Sequence, residues 1–327
     1  MPIATRLTYA LGIAHPILSA PMAMAAGGAL AAAVTRAGGL GLIGGGYGDA
    51  DWLADQFAAA GNERVGCGFI TWSLANAPAL LDAVLARDPA AVFLSFGDPA
   101  PFARKIKDVG AKLICQIQTV RDAEIALDHG ADIIVAQGAE AGGHGQSRAT
   151  FTLTPEIADL LARRSADTLL CAAGGVANGR GLAAALMLGA DGVVVGSRLW
   201  ASTESLAHPN MQAAALASDG DQTIRSSVMD IARGHDWPTR FTARVLRNAF
   251  TERWHGRGSE LIENAIEESR RWGRAWREGD ITIANTFVGE AAGLIDSIAP
   301  AGDIIARMVA NAELRLAAGA GMIQSQR

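Results

Sequence analysis

Short apolar runs recur along the first two hundred residues, at 16–22, 39–45, 65–70, 91–96, 112–118, 132–137, 168–174 and 192–199. Most are unbroken rather than alternating, the pattern of strands covered on both faces of a parallel sheet. Ala-rich segments with helical spacing lie between them, such as 29–37, 78–86 and 179–188. Strands alternating with helices predict βαβ units. The eight runs are spaced by roughly 20–26 residues, enough for one βα unit each, and only the interval between the sixth and seventh is longer. Eight such units favour an α/β fold of the closed (β/α)8 TIM-barrel type over an open doubly wound sheet.

After the eighth run the pattern changes. Residues 201–286 carry Trp237, Trp254, Trp272 and Trp276, many Arg and Glu, and no clear strand pattern. They predict a helical insertion that caps the barrel mouth. Helical periodicity resumes at 303–317, through Ile304, Ile305, Met308, Val309, Ala312 and Leu316. The expected organisation is therefore a barrel from residues 1–200 plus 287–327, and a cap from 201–286.

A barrel directs attention to the C-terminal ends of its strands, where active sites of this architecture form. Those ends are rich in Gly and Gln and nearly free of charge, which suits a large, partly apolar ligand. The sixth run ends in Gln137, then Gly138, Gly142, Gly143 and His144. Glycines let the backbone turn tightly and approach a ligand closely, and an imidazole exchanges a proton near neutral pH. Of the six His, only His144 sits in a Gly-rich loop after a barrel strand, so it is the candidate for catalysis or substrate binding. A loop histidine satisfied by backbone is the plainer alternative.

The seventh run leads into Gly174-Gly175-Val-Ala-Asn178 and the eighth into Gly196-Ser197-Arg198. Loops after the seventh and eighth strands commonly hold a phosphate in this fold. A helix opening near Asn178 would offer free N–H groups and a positive dipole end. Tight turns alone are the competing explanation. Ser19-Ala20-Pro21-Met22 ends the first run and could pass backbone groups along a flat ring system, although a buried strand end with a proline stop explains it equally well. Gly68 ends the third run. Gln116 and Gln137 end the fifth and sixth, where polar side chains that both donate and accept suggest ligand contact.

Composition narrows the setting. The chain has 327 residues, a formal net charge of -5 and a half-hydrophobic make-up, which suit one large α/β domain with an insertion. Mild acidity argues against nucleic acid as a partner. No apolar run approaches the ~18 residues that cross a bilayer. The first six residues lack the apolar core of a signal peptide, so a cytoplasmic location without a membrane partner is expected. Cys67, Cys115 and Cys171 lie far apart within apolar runs, as buried free thiols would. No carboxylate or imidazole cluster has metal-ligand spacing, so no metal is expected. Ten Arg between Arg233 and Arg277 read as a solvated helix face, or as a patch for a phosphorylated or carrier-bound substrate.

With these motifs placed, the chain resembles the nitronate monooxygenase family, formerly called 2-nitropropane dioxygenases. The resemblance is carried by Pro16-Ile-Leu-Ser-Ala-Pro-Met22, Ala37-Gly-Gly-Leu-Gly41, residues 132–144, Ala173-Gly-Gly-Val-Ala-Asn-Gly-Arg-Gly181, residues 189–198 and residues 287–295. The Gln-Gly-x-Glu-Ala-Gly-Gly-His pattern is the most specific of these. The resemblance implies bound FMN on a TIM barrel, with Ala20, Pro21, Met22, Gly68, Gln116, Gln137, Gly142, Gly143, Gly174, Gly175, Gly196 and Ser197 around it. It implies His144 as catalytic base, a nitronate or nitroalkane and O2 as partners, and a carbonyl compound and nitrite as products. Oligomeric state is left open, with a homo-oligomer compatible. The chain departs from family members that line the pocket with several Tyr or Lys: only Tyr47 of its two Tyr is expected near the mouth, with Phe69, Trp72, Phe96 and Phe287 as candidates to fill the space. An NAD(P)H-dependent flavin reductase, of the quinone reductase or enoyl-acyl-carrier-protein reductase II kind, shares the same loops and is the second reading.

Overall fold

In the computed structural model, which describes residues 3–322, all eight predicted runs form strands of one parallel sheet. In chain order the strands are β1 (Ile17–Ser19), β2 (Leu42–Gly44), β3 (Gly66–Ile70), β4 (Ala91–Ser95), β5 (Lys112–Ile117), β6 (Ile133–Gln137), β7 (Gly143–Gly145), β8 (Leu169–Ala173), β9 (Gly192–Val195), β10 (Thr223–Ser226) and β11 (Thr242–Leu246). The large sheet runs β1-β9-β8-β6-β5-β4-β3-β2. Its two edges meet through a parallel bridge between Leu18 and Leu40, where Ser19 N–H donates to the Leu40 carbonyl at 3.1 Å and Leu40 N–H donates to the Ile17 carbonyl at 3.0 Å. The sheet is thus a (β/α)8 barrel.

Alternation along each strand explains why the runs are apolar throughout. Leu18, Phe93, Ile114, Val135, Cys171 and Val194 point inward and fill the barrel as one cluster. Their neighbours Ile17, Val92, Cys115, Ile134, Ala172 and Val193 point outward and pack beneath the surrounding helices. Complete burial of such side chains contributes about 1.5–3 kcal/mol each for the larger ones, against the entropy of ordering the chain. The helix Arg6–Leu11 plugs the N-terminal end through Leu7 and Leu11. The last helix, Ala301–Ala320, packs on the helix Gly179–Met187. Gly179 makes that approach possible, because an added Cβ would lie 2.4 Å from the Ala312 backbone nitrogen. Cys67, Cys115 and Cys171 are buried free thiols, and burial pushes their ionisation up. Among the described residues no helix is long and apolar enough to cross a membrane.

The region after β9 differs from the all-helical expectation. It contains helices, but β10 and β11 also pair antiparallel within it, and β11 pairs antiparallel with β7. The segment read as a plain Gly-rich loop therefore carries a strand. Alternation was masked because these strands are short and carry Arg at positions that face protein: Arg225 and Arg244 are cross-strand partners, and both donate to the Ala139 carbonyl, at 3.3 and 2.9 Å.

A candidate active site at the barrel mouth

His144, Ala20, Pro21, Met22, Gly68, Gln116, Gln137, Gly142, Gly143, Gly174, Gly175, Gly196 and Ser197 all line one cavity over the C-terminal ends of the strands. The topology brings them together, since they lie at or beyond the C-terminal ends of β1, β3, β5, β6, β8 and β9 of the same barrel. Gly68 also has a packing role: an added Cβ would lie 2.3 Å from Cγ of Pro21, so the first strand end can settle over the third only without a side chain there.

The two loops after β8 and β9 form a cradle of backbone. Gly174 and Gly175 hold φ of 100° and 75°, conformations that disfavour any side chain. Gly196 is different, because a Cβ added there would meet nothing closer than 3.6 Å. Space alone does not demand a glycine at 196, and the residue lines the cavity. Among the described residues, the N–H groups of Gly175 and Gly196 have no hydrogen-bond acceptor. The helix expected to open with free N–H groups near Asn178 does not offer them fully. The Asn178 side chain accepts from Arg180 N–H at 3.0 Å and from Gly181 N–H at 3.3 Å, the usual N-cap arrangement. Ser197 Oγ accepts from Gly289 N–H at 2.9 Å, which ties the eighth-strand loop to the returning chain and leaves its own hydroxyl proton to donate.

The two Gln expected to touch a ligand divide the work. Gln137 is engaged inside the protein: its Oε1 accepts from Gln116 at 3.1 Å and Gln118 at 2.7 Å, and its Nε2 donates to the His144 carbonyl at 3.0 Å. Gln116 lines the cavity beside it and keeps its carbonyl oxygen for a ligand. Gln137 thus holds the backbone of the candidate base.

His144 is held on every side. Its backbone lies in β7 opposite Ala243 of β11. Its ring stacks on Trp237 with centroids 3.4 Å apart and planes 5° from parallel. Its Nε2 lies 2.9 Å from Oδ2 of Asp230, which is 2% exposed. Burial lowers the His144 pKa from its ordinary value, and the hydrogen bond and charge of Asp230 oppose that shift. The other ring nitrogen, Nδ1, makes no hydrogen bond with the described residues, and His144 lines the cavity. A neutral imidazole fixed through Nε2–H keeps a lone pair on Nδ1 for a proton.

Asp230, Arg233 and Trp237 were not singled out from sequence. They come from the helix Val228–Arg233 and the loop after it. Arg233 lines the cavity with its guanidinium carbon 5.1–5.7 Å from the rings of Tyr47, Trp272 and Phe287. Trp237 donates from Nε1 to the Tyr47 hydroxyl at 3.0 Å. Of the expected space-filling residues, Tyr47, Phe69, Phe96 and Phe287 line the cavity. Trp72 instead packs edge-on against Trp237, with centroids 5.4 Å apart. Trp200 and Trp276 also line it. The only sequence signal for the cap residues was their place in an Arg- and Trp-rich insertion.

The fold is a barrel, and the cavity lies at its C-terminal mouth, where active sites of this architecture form. Comparison with known proteins narrows this. The sequence profile for nitronate monooxygenase matches residues 4–62 and 75–311. The chain is 33% identical to the nitronate monooxygenase of Neurospora crassa over 347 aligned positions, covering 92% of this chain and 89% of that protein. It is 33% identical to nitronate monooxygenase npaC of Metarhizium robertsii, covering 88% of each. Among solved structures it resembles FabK from Thermotoga maritima, at 33% identity and a TM-score of 0.86 over 98% of this chain and 100% of that one. The chain belongs to the nitronate monooxygenase family and is an oxidoreductase. Family membership implies a flavin cofactor and activity on nitronates.

Proposed function

We propose that the protein is an FMN-dependent nitronate monooxygenase that converts alkyl nitronates, and nitroalkanes, with O2 to a carbonyl compound and nitrite. One observation carries this reading: His144 shares a single cavity with the backbone cradle of the last two barrel strands, and its Nδ1 makes no hydrogen bond with the described residues. The residues fit FMN. The N–H groups of Gly175 and Gly196, which have no acceptor among the described residues, and the Ser197 hydroxyl would hold the phosphate. Ala20, Pro21, Met22, Gly68 and Gln116 would lie along the ring, with Gly142 and Gly143 allowing close approach. When bound, the flavin supplies the electron-transfer chemistry.

The chain's own residues do the rest. His144 takes a proton from a neutral nitroalkane, or positions a nitronate. Gln137 fixes its backbone. Phe69, Phe96, Trp237 and Phe287 exclude water from the reacting carbon. Residues 201–286 act as the substrate-side cap, and the protein works in the cytoplasm.

The test is anaerobic. Ethylnitronate added to the holoprotein should bleach the visible flavin absorbance, and readmitted O2 should restore it with release of nitrite. No bleaching by any nitronate would overturn the proposal. The likeness to FabK favours one second reading, an NAD(P)H-dependent flavin reductase of the enoyl-acyl-carrier-protein reductase II kind. Rapid bleaching by NADH or NADPH, with none by nitronates, would establish that reading instead.

A further inference from the structure

We propose that Asp230, carried by the cap, is the positioning residue of His144, and that the pair equips this site to deprotonate neutral nitroalkanes rather than only to receive preformed nitronates. The proposal rests on the reading of His144 as the base.

The geometry is specific. Asp230 lies on the helix Val228–Arg233, and its Oδ2 is 2.9 Å from His144 Nε2. The stack on Trp237 fixes the plane of the imidazole, so the carboxylate fixes which edge of the ring turns outward. A carboxylate accepting from Nε2–H selects the tautomer with a lone pair on Nδ1. The other groups facing His144 matter equally. Arg233 comes from the same helix, Arg225 from β10, and His235 from the loop that follows the helix; Trp237 and Phe96 complete the wall. All the charged side chains in that set except Asp230 are cationic. An imidazolium formed on His144 would therefore meet two guanidinium groups in a buried pocket, were Asp230 absent. Asp230 is the group that holds the charge.

Asp230 also forms a long ion pair with Arg233, its Oδ1 lying 3.9 Å from Nη1, but among the described residues its side chain makes no hydrogen bond except with His144. Its carboxylate is otherwise buried, a costly placement for a group serving only to fill space.

In the step served, the C–H bond next to the nitro group breaks and its proton passes to His144 Nδ1. The electron pair of that bond becomes the C=N bond of the nitronate, and the nitro oxygens take the negative charge. Nε2 keeps its proton and goes on donating to the Asp230 carboxylate, and the proton on Nδ1 later leaves to water. A preformed nitronate has already lost this proton.

The experiment compares wild-type holoprotein with Asp230→Asn and Asp230→Glu on nitroethane and on ethylnitronate, across pH. Asp230→Asn should lower kcat/KM for nitroethane by about 10²–10⁴-fold, the usual worth of general base catalysis. It should leave ethylnitronate within a few-fold. The acid limb of the nitroethane profile should move to lower pH, because loss of a neighbouring anion makes the imidazolium easier to deprotonate. Asp230→Glu should recover part of the rate. Nitrogen NMR of the wild-type holoprotein should find the His144 proton on Nε2. Equal losses with both substrates, no loss with either, or an Nδ1–H tautomer would overturn the proposal. Should Asp230→Asn not fold, the NMR tautomer decides. A wild type inactive on ethylnitronate would instead count against the nitronate monooxygenase reading, while the tautomer would still test the pair.

Discussion

Gly174 and Gly196 look alike in the sequence, each closing a barrel strand, yet the structure asks different things of them. Gly174 sits at φ 100°, and a Cβ there would lie 2.9 Å from both the Gly138 carbonyl oxygen and Thr150 Oγ1. Gly196 has ordinary negative φ, -99°, and room for a Cβ. Gly174→Ala should therefore cost about 1–3 kcal/mol of stability through backbone strain and overpacking. Gly196→Ala should fold as the wild type does, while its methyl group occupies the cradle and weakens flavin binding. Thermal unfolding of the flavin-free proteins and fluorescence titration with FMN separate the two. A Gly196→Ala protein that binds FMN as tightly as wild type would remove Gly196 from the phosphate site. Both positions were legible in the sequence, because strand count fixes which loops border the mouth. Their difference was not, since it depends on which neighbours approach each backbone.

At the scale of elements, the seam between β7 and β11 joins the cap to the barrel and carries His144 in its middle. Arg244 is its rivet. It donates from Nε to the Ala139 carbonyl at 2.9 Å, donates from Nη1 to Thr223 Oγ1 at 2.9 Å, and pairs through Nη2 with Glu290 at 2.7 Å. Glu290 is 43% exposed, so the ion pair itself contributes little. The hydrogen bonds, made by a side chain only 11% exposed, matter more. Arg244→Ala should destabilise the protein by about 1.5–3 kcal/mol and speed hydrogen exchange at residues 143–145. Urea unfolding and exchange measured by mass spectrometry check both, and unchanged exchange there would mean that the seam does not depend on this side chain. Sequence reading missed the seam for a physical reason. An Arg in an Arg-rich insertion reads as solvated, and only the paired strands reveal that Arg225 and Arg244 turn their donors onto one carbonyl.

For the whole molecule, the mouth is assembled from two sources of different legibility. Barrel residues such as Gln116, His144 and Gly175 follow from the topology, so the alternation of runs and helices was enough to gather them. Asp230, Arg233, His235 and Trp237 reach the same mouth only because the chain folds back over it, and no local pattern encodes that return. The join has a cost in acid. Burial lowers the pKa of His144, and burial together with nearby Arg233 lowers that of His235 to about 4, where it stacks on Tyr47 with centroids 3.7 Å apart. In the unfolded chain both histidines titrate at their ordinary value of 6.5. Below that value the unfolded state binds protons that the folded state refuses, so stability falls as pH drops from about 6.5 toward about 4 and is fully present above 6.5. The Tm of the flavin-free protein should accordingly decline between about pH 7 and pH 5, above the range where most carboxylates titrate. His235→Asn should flatten that decline, because it removes one of the two titrating groups and leaves the Arg233 charge in place. A variant whose Tm falls with pH as steeply as that of the wild type would show that His235 is free to protonate in the folded protein. The cap would then stand open to water at the very position where it stacks on Tyr47.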